Sequence, residues 1–120
     1  MIQVAPNSTI FVVTKPIRFI GRLKSTVGIC RDLLEIEPMD GAYIVFRNRM
    51  GTMLRVIFYD GDGFWLCEKT FSKGSLPPWN DTPNGLSEIT ARELSVLLWR
   101  GNLKGANFPE LWKKMGASAD

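Results

Sequence analysis

The stretch from Tyr43 to Phe71, YIVFRNRMGTMLRVIFYDGDGFWLCEKTF, constrains this chain more than any other. Three runs rich in β-branched and aromatic residues are separated by two compact turns, the pattern of consecutive antiparallel strands. Arg49-Met50-Gly51 reads as a three-residue loop with glycine where the backbone needs positive φ. Asp60-Gly61-Asp62-Gly63 carries two Asp-Gly pairs, among the strongest hairpin signals. A three-residue first loop pairs Asn48 with Thr52, Phe46 with Leu54 and Ile44 with Val56. The second turn pairs Tyr59 with Phe64, Phe58 with Trp65 and Val56 with Cys67. Period two then gathers Ile44, Phe46, Leu54, Val56, Phe58, Trp65 and Cys67 on a buried face. The other face holds Val45, Arg47, Arg55, Ile57, Leu66 and Glu68.

The flanks supply what packs on this meander. Residues 1 to 8 are expected to be loosely held, and Thr9 to Thr14 reads as a short strand stopped at Lys15-Pro16. Leu23, Val27, Cys30 and Leu34 recur at spacings of four, three and four, one stripe of an amphipathic helix over about residues 22 to 35. Glu37-Pro38-Met39-Asp40-Gly41 makes the turn into the meander. Ser72 to Gly85 is an irregular loop around Trp79. Thr90-Ala91-Arg92-Glu93 is a capping box, with Leu94, Leu97 and Leu98 as the stripe and Gly101 as the stop. A tail helix places Phe108, Leu111, Trp112 and Met115 on one face, and residues 116 to 120 read as frayed. The expectation is one α+β domain over residues 1–120, with its core at about 9–115. An antiparallel sheet centred on the meander is packed by two or three helices.

With 45% apolar residues, four tryptophans and seven phenylalanines, the composition is that of a globular core. No apolar run approaches the roughly 18 residues of a membrane span, and the N-terminus lacks a signal-peptide pattern. A soluble, cytoplasmic protein is expected. The chain has no histidine, which removes Ser-His and Cys-His nucleophile pairs and ordinary zinc sites. Cys30 and Cys67 are far apart and read as free thiols of a reducing compartment. Asp60 and Asp62 superficially resemble a calcium loop. The positions where that loop wants further oxygen ligands fall on Phe64 and Phe71, so no metal or other cofactor is expected. Neither a phosphate-binding loop nor a carboxylate cluster is evident, and no enzymatic activity is expected.

Charge is uneven. The first 31 residues hold Lys15, Arg18, Arg22, Lys24 and Arg31 and no acid, and Asp32, Glu35, Glu37 and Asp40 follow as an acidic block. A basic segment can attract phosphate or form one solvated helix face. In the meander Arg55 faces Glu68, which allows a cross-strand ion pair as readily as phosphate contact. Arg47 and Arg49 have no acid opposite. Trp79 either tucks against the sheet or stacks on a partner.

Ile44-Val45-Phe46-Arg47-Asn48-Arg49, then Tyr59-Asp60-Gly61-Asp62-Gly63-Phe64-Trp65-Leu66 and Lys69, with the Leu94 to Leu98 helix, closely resemble one known family. It is the TnpB accessory protein of the insertion-sequence family numbered sixty-six, distinct from the RNA-guided nucleases that share those letters. Pro16-Ile17-Arg18-Phe19 and Gly28-Ile29-Cys30-Arg31 are similar to its first third, so the likeness covers roughly residues 9 to 100. The resemblance implies a non-catalytic role in DNA transposition beside a companion transposase. On that basis Arg18, Arg47, Arg49, Arg55 and Lys69 are the candidate contacts to element-end DNA. The alternative is an adapter that docks on the transposase without binding DNA, with Trp79 and Trp112 as candidate partner-binding residues.

Overall fold

The structure, a computed structural model, describes residues 4–15 and 17–99. The tail helix around Trp112, the Gly101 stop and the frayed end lie outside the described residues. The described chain runs β1 (Ile10–Val13), α1 (Leu23–Gly28), β2 (Tyr43–Arg47), β3 (Met53–Tyr59), β4 (Phe64–Thr70), β5 (Leu86–Ile89) and α2 (Ala91–Leu98). Helix α1 continues without a break into a π-helical turn, Ile29–Leu33. The stripe expected over 22 to 35 is therefore helical. Val27, Cys30 and Leu34 are buried, while Leu23 at its start is 36% exposed.

The three strands of the meander form in antiparallel order, but the register of the first hairpin and the sheet around the meander differ from those expected. Five strands stand in the order β4-β3-β2-β1-β5, and β1 runs parallel to β2. A parallel pair needs a long crossover, and α1 supplies it. The strand Leu86–Ile89, not anticipated from sequence, pairs antiparallel with β1. Its Leu-Ser-Glu-Ile does not alternate, has no strong β signal of its own and acquires strand form from its neighbour.

The second hairpin has the expected register, with Phe58 opposite Trp65 and Val56 opposite Cys67. The first is displaced by one residue: Phe46 pairs with Arg55, Val45 with Val56 and Ile44 with Ile57. The loop is longer than three residues. Asn48 N–H bonds the Met53 carbonyl, and Gly51 N–H closes a turn on the Asn48 carbonyl. Four-residue hairpin loops are commonly built around such a turn. The Asn48 side chain completes it, its Oδ1 accepting from the amides of Thr52 and Met53 at 2.8 and 3.0 Å.

A one-residue slip turns β2 over. Val45 and Arg47 share a face with Leu54, Val56 and Cys67, whereas Ile44 and Phe46 share the opposite face with Arg55 and Ile57. Both faces are covered. Leu94 and Leu97 of α2, with Phe71 and Leu76, pack on Ile10, Val12, Val45, Leu54 and Val56. Val27, Cys30 and Leu34 pack on Val13, Ile44, Phe46 and Ile57. Trp65, expected in the core, is 54% exposed at the β4 edge.

The capping box of α2 is present in both directions: Glu93 N–H donates to Thr90 Oγ1 at 3.0 Å and Thr90 N–H donates to Glu93 Oε1 at 2.9 Å. Thr90→Ala is expected to lower stability by about 1 kcal/mol, the usual worth of an N-cap oxygen. Urea denaturation measures it. An unchanged midpoint would mean that α2 is held by Leu94 and Leu97 alone.

Candidate nucleic-acid interface

Strand direction decides where the charges go. β1, β2 and β4 end where β3 and β5 begin. The segments 14–22, 48–52 and 71–85 therefore all lie at one end of the sheet. They carry Lys15, Arg18, Arg22, Arg49 and Lys73 against a single acid, Asp81. The opposite end receives segments 34–42 and 60–63, with Glu35, Glu37, Asp40, Asp60 and Asp62, against Arg92 at the start of α2 and Arg31, which pairs with Glu37 at 2.8 Å. The unevenness along the sequence becomes a polarity along the strands.

The candidate residues separate into presented and internal ones. Arg18 and Arg49 are exposed at the basic end. Arg47, beside them, turns inward. It donates from Nη1 to the carbonyls of Asn48 and Arg49 and from Nη2 to that of Leu76 at 2.8 Å. Its Nε is buried without a hydrogen-bond partner, and burial pulls its pKa below the ordinary value. Arg47 thus clasps the β2–β3 loop to the 71–85 segment and positions Arg49.

Arg55 cannot serve as a surface contact, because it is 6% exposed. Its Nε donates to Glu68 at 2.6 Å, Nη1 to Thr26 Oγ1 at 2.9 Å and Nη2 to the Gly21 carbonyl at 3.1 Å. Phe19 stacks on the guanidinium at 4.6 Å from the ring centroid. Of the two readings its pairing allowed, the cross-strand ion pair is the one formed. Lys69 donates to the Leu98 carbonyl at the C-terminus of α2, with Phe71 and Trp99 rings 5.7 and 5.6 Å from its ammonium. It closes a helix end, where a cation also suits the helix dipole.

Trp79 is half-buried against the cluster under α2. It forms one wall of an open groove of about 520 Å³, with Leu76, Pro77, Pro78, Ile89 and Leu97 among its other residues. Trp112 lies outside the described residues. Lys15 and Arg22 belong to the basic segment read from the sequence, whereas Lys73 carries no sequence signal and reaches this end of the sheet only through the strand directions.

The acidic end is built for turns. Asp60 Oδ1 accepts from the amides of Asp62 and Gly63, and Oδ2 from the Trp65 indole, each at 2.8 Å. These bonds hold its carboxyl below the usual carboxylate range. Among the described residues no group of three metal-ligating side chains comes together. Burial pushes the Cys30 thiol up to about 12 and raises that of Cys67, so neither is an activated nucleophile. No helix among the described residues is long and apolar enough to cross a membrane.

The family described as IS66 Orf2 like protein matches residues 8–106. Uncharacterized protein y4jC of Sinorhizobium fredii (strain NBRC 101917 / NGR234) is 30% identical over 100 residues, spanning 82% of this chain and 83% of that protein. Uncharacterized protein y4hO of the same strain is 36% identical over 74 residues, 58% of this chain. The chain spans 64% of that relative's length. No solved structure matches. The match runs from ahead of β1 to beyond α2, across every strand that builds the basic end, and the chain belongs to the IS66 Orf2-like family associated with insertion-sequence transposition.

Proposed function

We propose that this protein is a non-catalytic accessory of DNA transposition that touches element-end DNA with the basic end of its sheet. One observation carries the reading: the three segments that hold Arg18, Arg49, Lys15, Arg22 and Lys73 lie at one end of the sheet, while the acids of the 34–42 and 60–63 turns lie at the other. Such a polarity orients a polyanion toward one side of the molecule. Arg47 and Lys69 contribute by bracing loop and helix. Phosphate contacts of this kind position a protein on a duplex without reading its sequence.

The test is a titration of labelled element-end duplex and an unrelated duplex at two salt concentrations. Wild type is compared with an Arg18→Ala, Arg49→Ala double variant, in which two exposed charges are lost and no described packing. Weaker binding is expected, with the slope of log affinity against log salt reduced by about two, roughly one per phosphate contact. Equal affinity and equal slope in the two proteins would overturn the reading. Weak wild-type binding, indifferent to sequence, would move attention to the Trp79 groove as a docking site for the companion transposase.

A further inference from the structure

We infer that β4 is a self-pairing edge, through which two copies of this chain join their sheets around a two-fold axis at Cys67. Strand β4 closes one side of the sheet, is seven residues long, and has neither proline nor glycine. Native edges are usually blunted by shortness, proline, bulges or charge. Strand β4 lacks the first three, and its two charges are engaged within the chain, Glu68 by Arg55 and Lys69 by the Leu98 carbonyl. The other edge, β5, is only four residues long.

Hydrogen-bond alternation fixes what β4 offers. Asp60 N–H bonds the Gly63 carbonyl at one end of the hairpin and Phe71 N–H bonds the Thr52 carbonyl at the other. Between these points Trp65, Cys67 and Lys69 direct their backbone groups to β3. Those of Phe64, Leu66, Glu68 and Thr70 point away from β3, to an edge that pairs with no other strand among the described residues. A two-fold axis perpendicular to the sheet pairs two such edges antiparallel with each face continuous. Centred on Cys67, it engages all seven residues. Leu66 bonds the partner's Glu68 and Phe64 bonds the partner's Thr70.

Side chains agree with this register. Trp65 comes opposite the partner's Lys69, whose aliphatic stem covers an indole now 54% exposed. Glu68, held by Arg55, meets the partner's Leu66, so no like charges oppose each other. A register centred on Glu68 would oppose two carboxylates, and one centred on Leu66 would shorten the overlap. Cys67 falls opposite the partner's Cys67 at a non-hydrogen-bonded site, where Cα atoms stand about 4.5 Å apart, within disulfide range. Because the axis reverses the strands, the two basic ends face in opposite directions. The pairing does not depend on whether those ends bind DNA.

The full chain is examined by sedimentation over a range of concentrations and by mild oxidation. A dimer is expected, with a covalent cross-link that is lost in Cys67→Ser and kept in Cys30→Ser, since Cys30 is buried in the core. Trp65→Lys opposes two lysine pairs across the axis and is expected to weaken the dimer about tenfold. Trp65→Glu opposes glutamate to lysine and keeps the dimer. Lysine can still donate to Asp60 where the indole did, and glutamate cannot, so a purely structural role for Trp65 would favour Trp65→Lys, the reverse of the order expected for the dimer. A monomer at every concentration, a cross-link independent of Cys67, or equal behaviour of two folded Trp65 variants would overturn the inference. Should those variants fail to fold, the wild-type and cysteine results decide it alone.

Discussion

Arg55→Ala is expected to destabilise the protein by about 3–5 kcal/mol, the range seen when one partner of a buried ion pair is removed. The guanidinium, 6% exposed, spans two layers. It bonds Glu68 on the neighbouring strand, and Thr26 and Gly21 where α1 begins. Alanine leaves Glu68 without its cation and the Gly21 carbonyl without its donor, and it opens a cavity beneath Phe19. Replacing Arg55 and Glu68 together by apolar residues of similar size is expected to recover the part due to the stranded carboxylate and the cavity, while the Gly21 carbonyl still lacks its donor. Urea denaturation of the two single variants and the double variant measures this coupling. A surface arginine reserved for DNA would behave differently, costing under about 0.5 kcal/mol in stability. A loss that small would show that the interlayer brace does not bear on folding.

Much of the chain could be read before its structure. Asp60-Gly61-Asp62-Gly63 set the second hairpin's register, and Thr90 with Glu93 set the start of α2, because these signals are local and chemically specific. The register of the first hairpin failed for a physical reason. Ile44, Val45 and Phe46 are each at most 1% exposed. A strand buried on both faces has no alternation to reveal its phase. Loop length alone then sets the expected register, and the Asn48 side chain favours a longer turn by accepting from the amides of Thr52 and Met53. The parallel β1–β2 pair depends on a crossover, a relation between distant segments that neither strand encodes. The candidate site was partly legible for the same reason. Arginines could be named, but not which were presented: Arg47 and Arg55 look alike in sequence as Phe-Arg and Leu-Arg. Only the assembled sheet shows one clasping a loop, the other buried, and Arg18 at the same end of the sheet as Arg49.

The clasp around Arg47 makes Gly51 the most demanding backbone position at the basic end. Gly51 has φ +73°, and a Cβ there would lie 2.5 Å from Arg47 Nη2 and 2.5 Å from the Leu76 carbonyl oxygen. The arginine tip could shift, but the carbonyl belongs to a backbone that Leu76 N–H already ties to the Gly51 carbonyl at 2.8 Å. Gly51→Ala therefore combines left-handed strain, about 1–2 kcal/mol, with a weakened Arg47–Leu76 bond, worth about 1.5–3 kcal/mol for a charged donor. A total loss of about 2.5–5 kcal/mol is expected from these two terms. Gly61 provides the comparison, since its φ is +97° and a Cβ would meet nothing within 4 Å. Gly61→Ala is expected to cost only the strain. Asparagine, which tolerates left-handed backbone better, should be nearly neutral at 61 and still costly at 51. Thermal denaturation of the four variants separates conformational strain from collision. Equal losses at the two positions would mean that the 71–85 segment yields freely, and that Arg49 is presented by a loop without a fixed support.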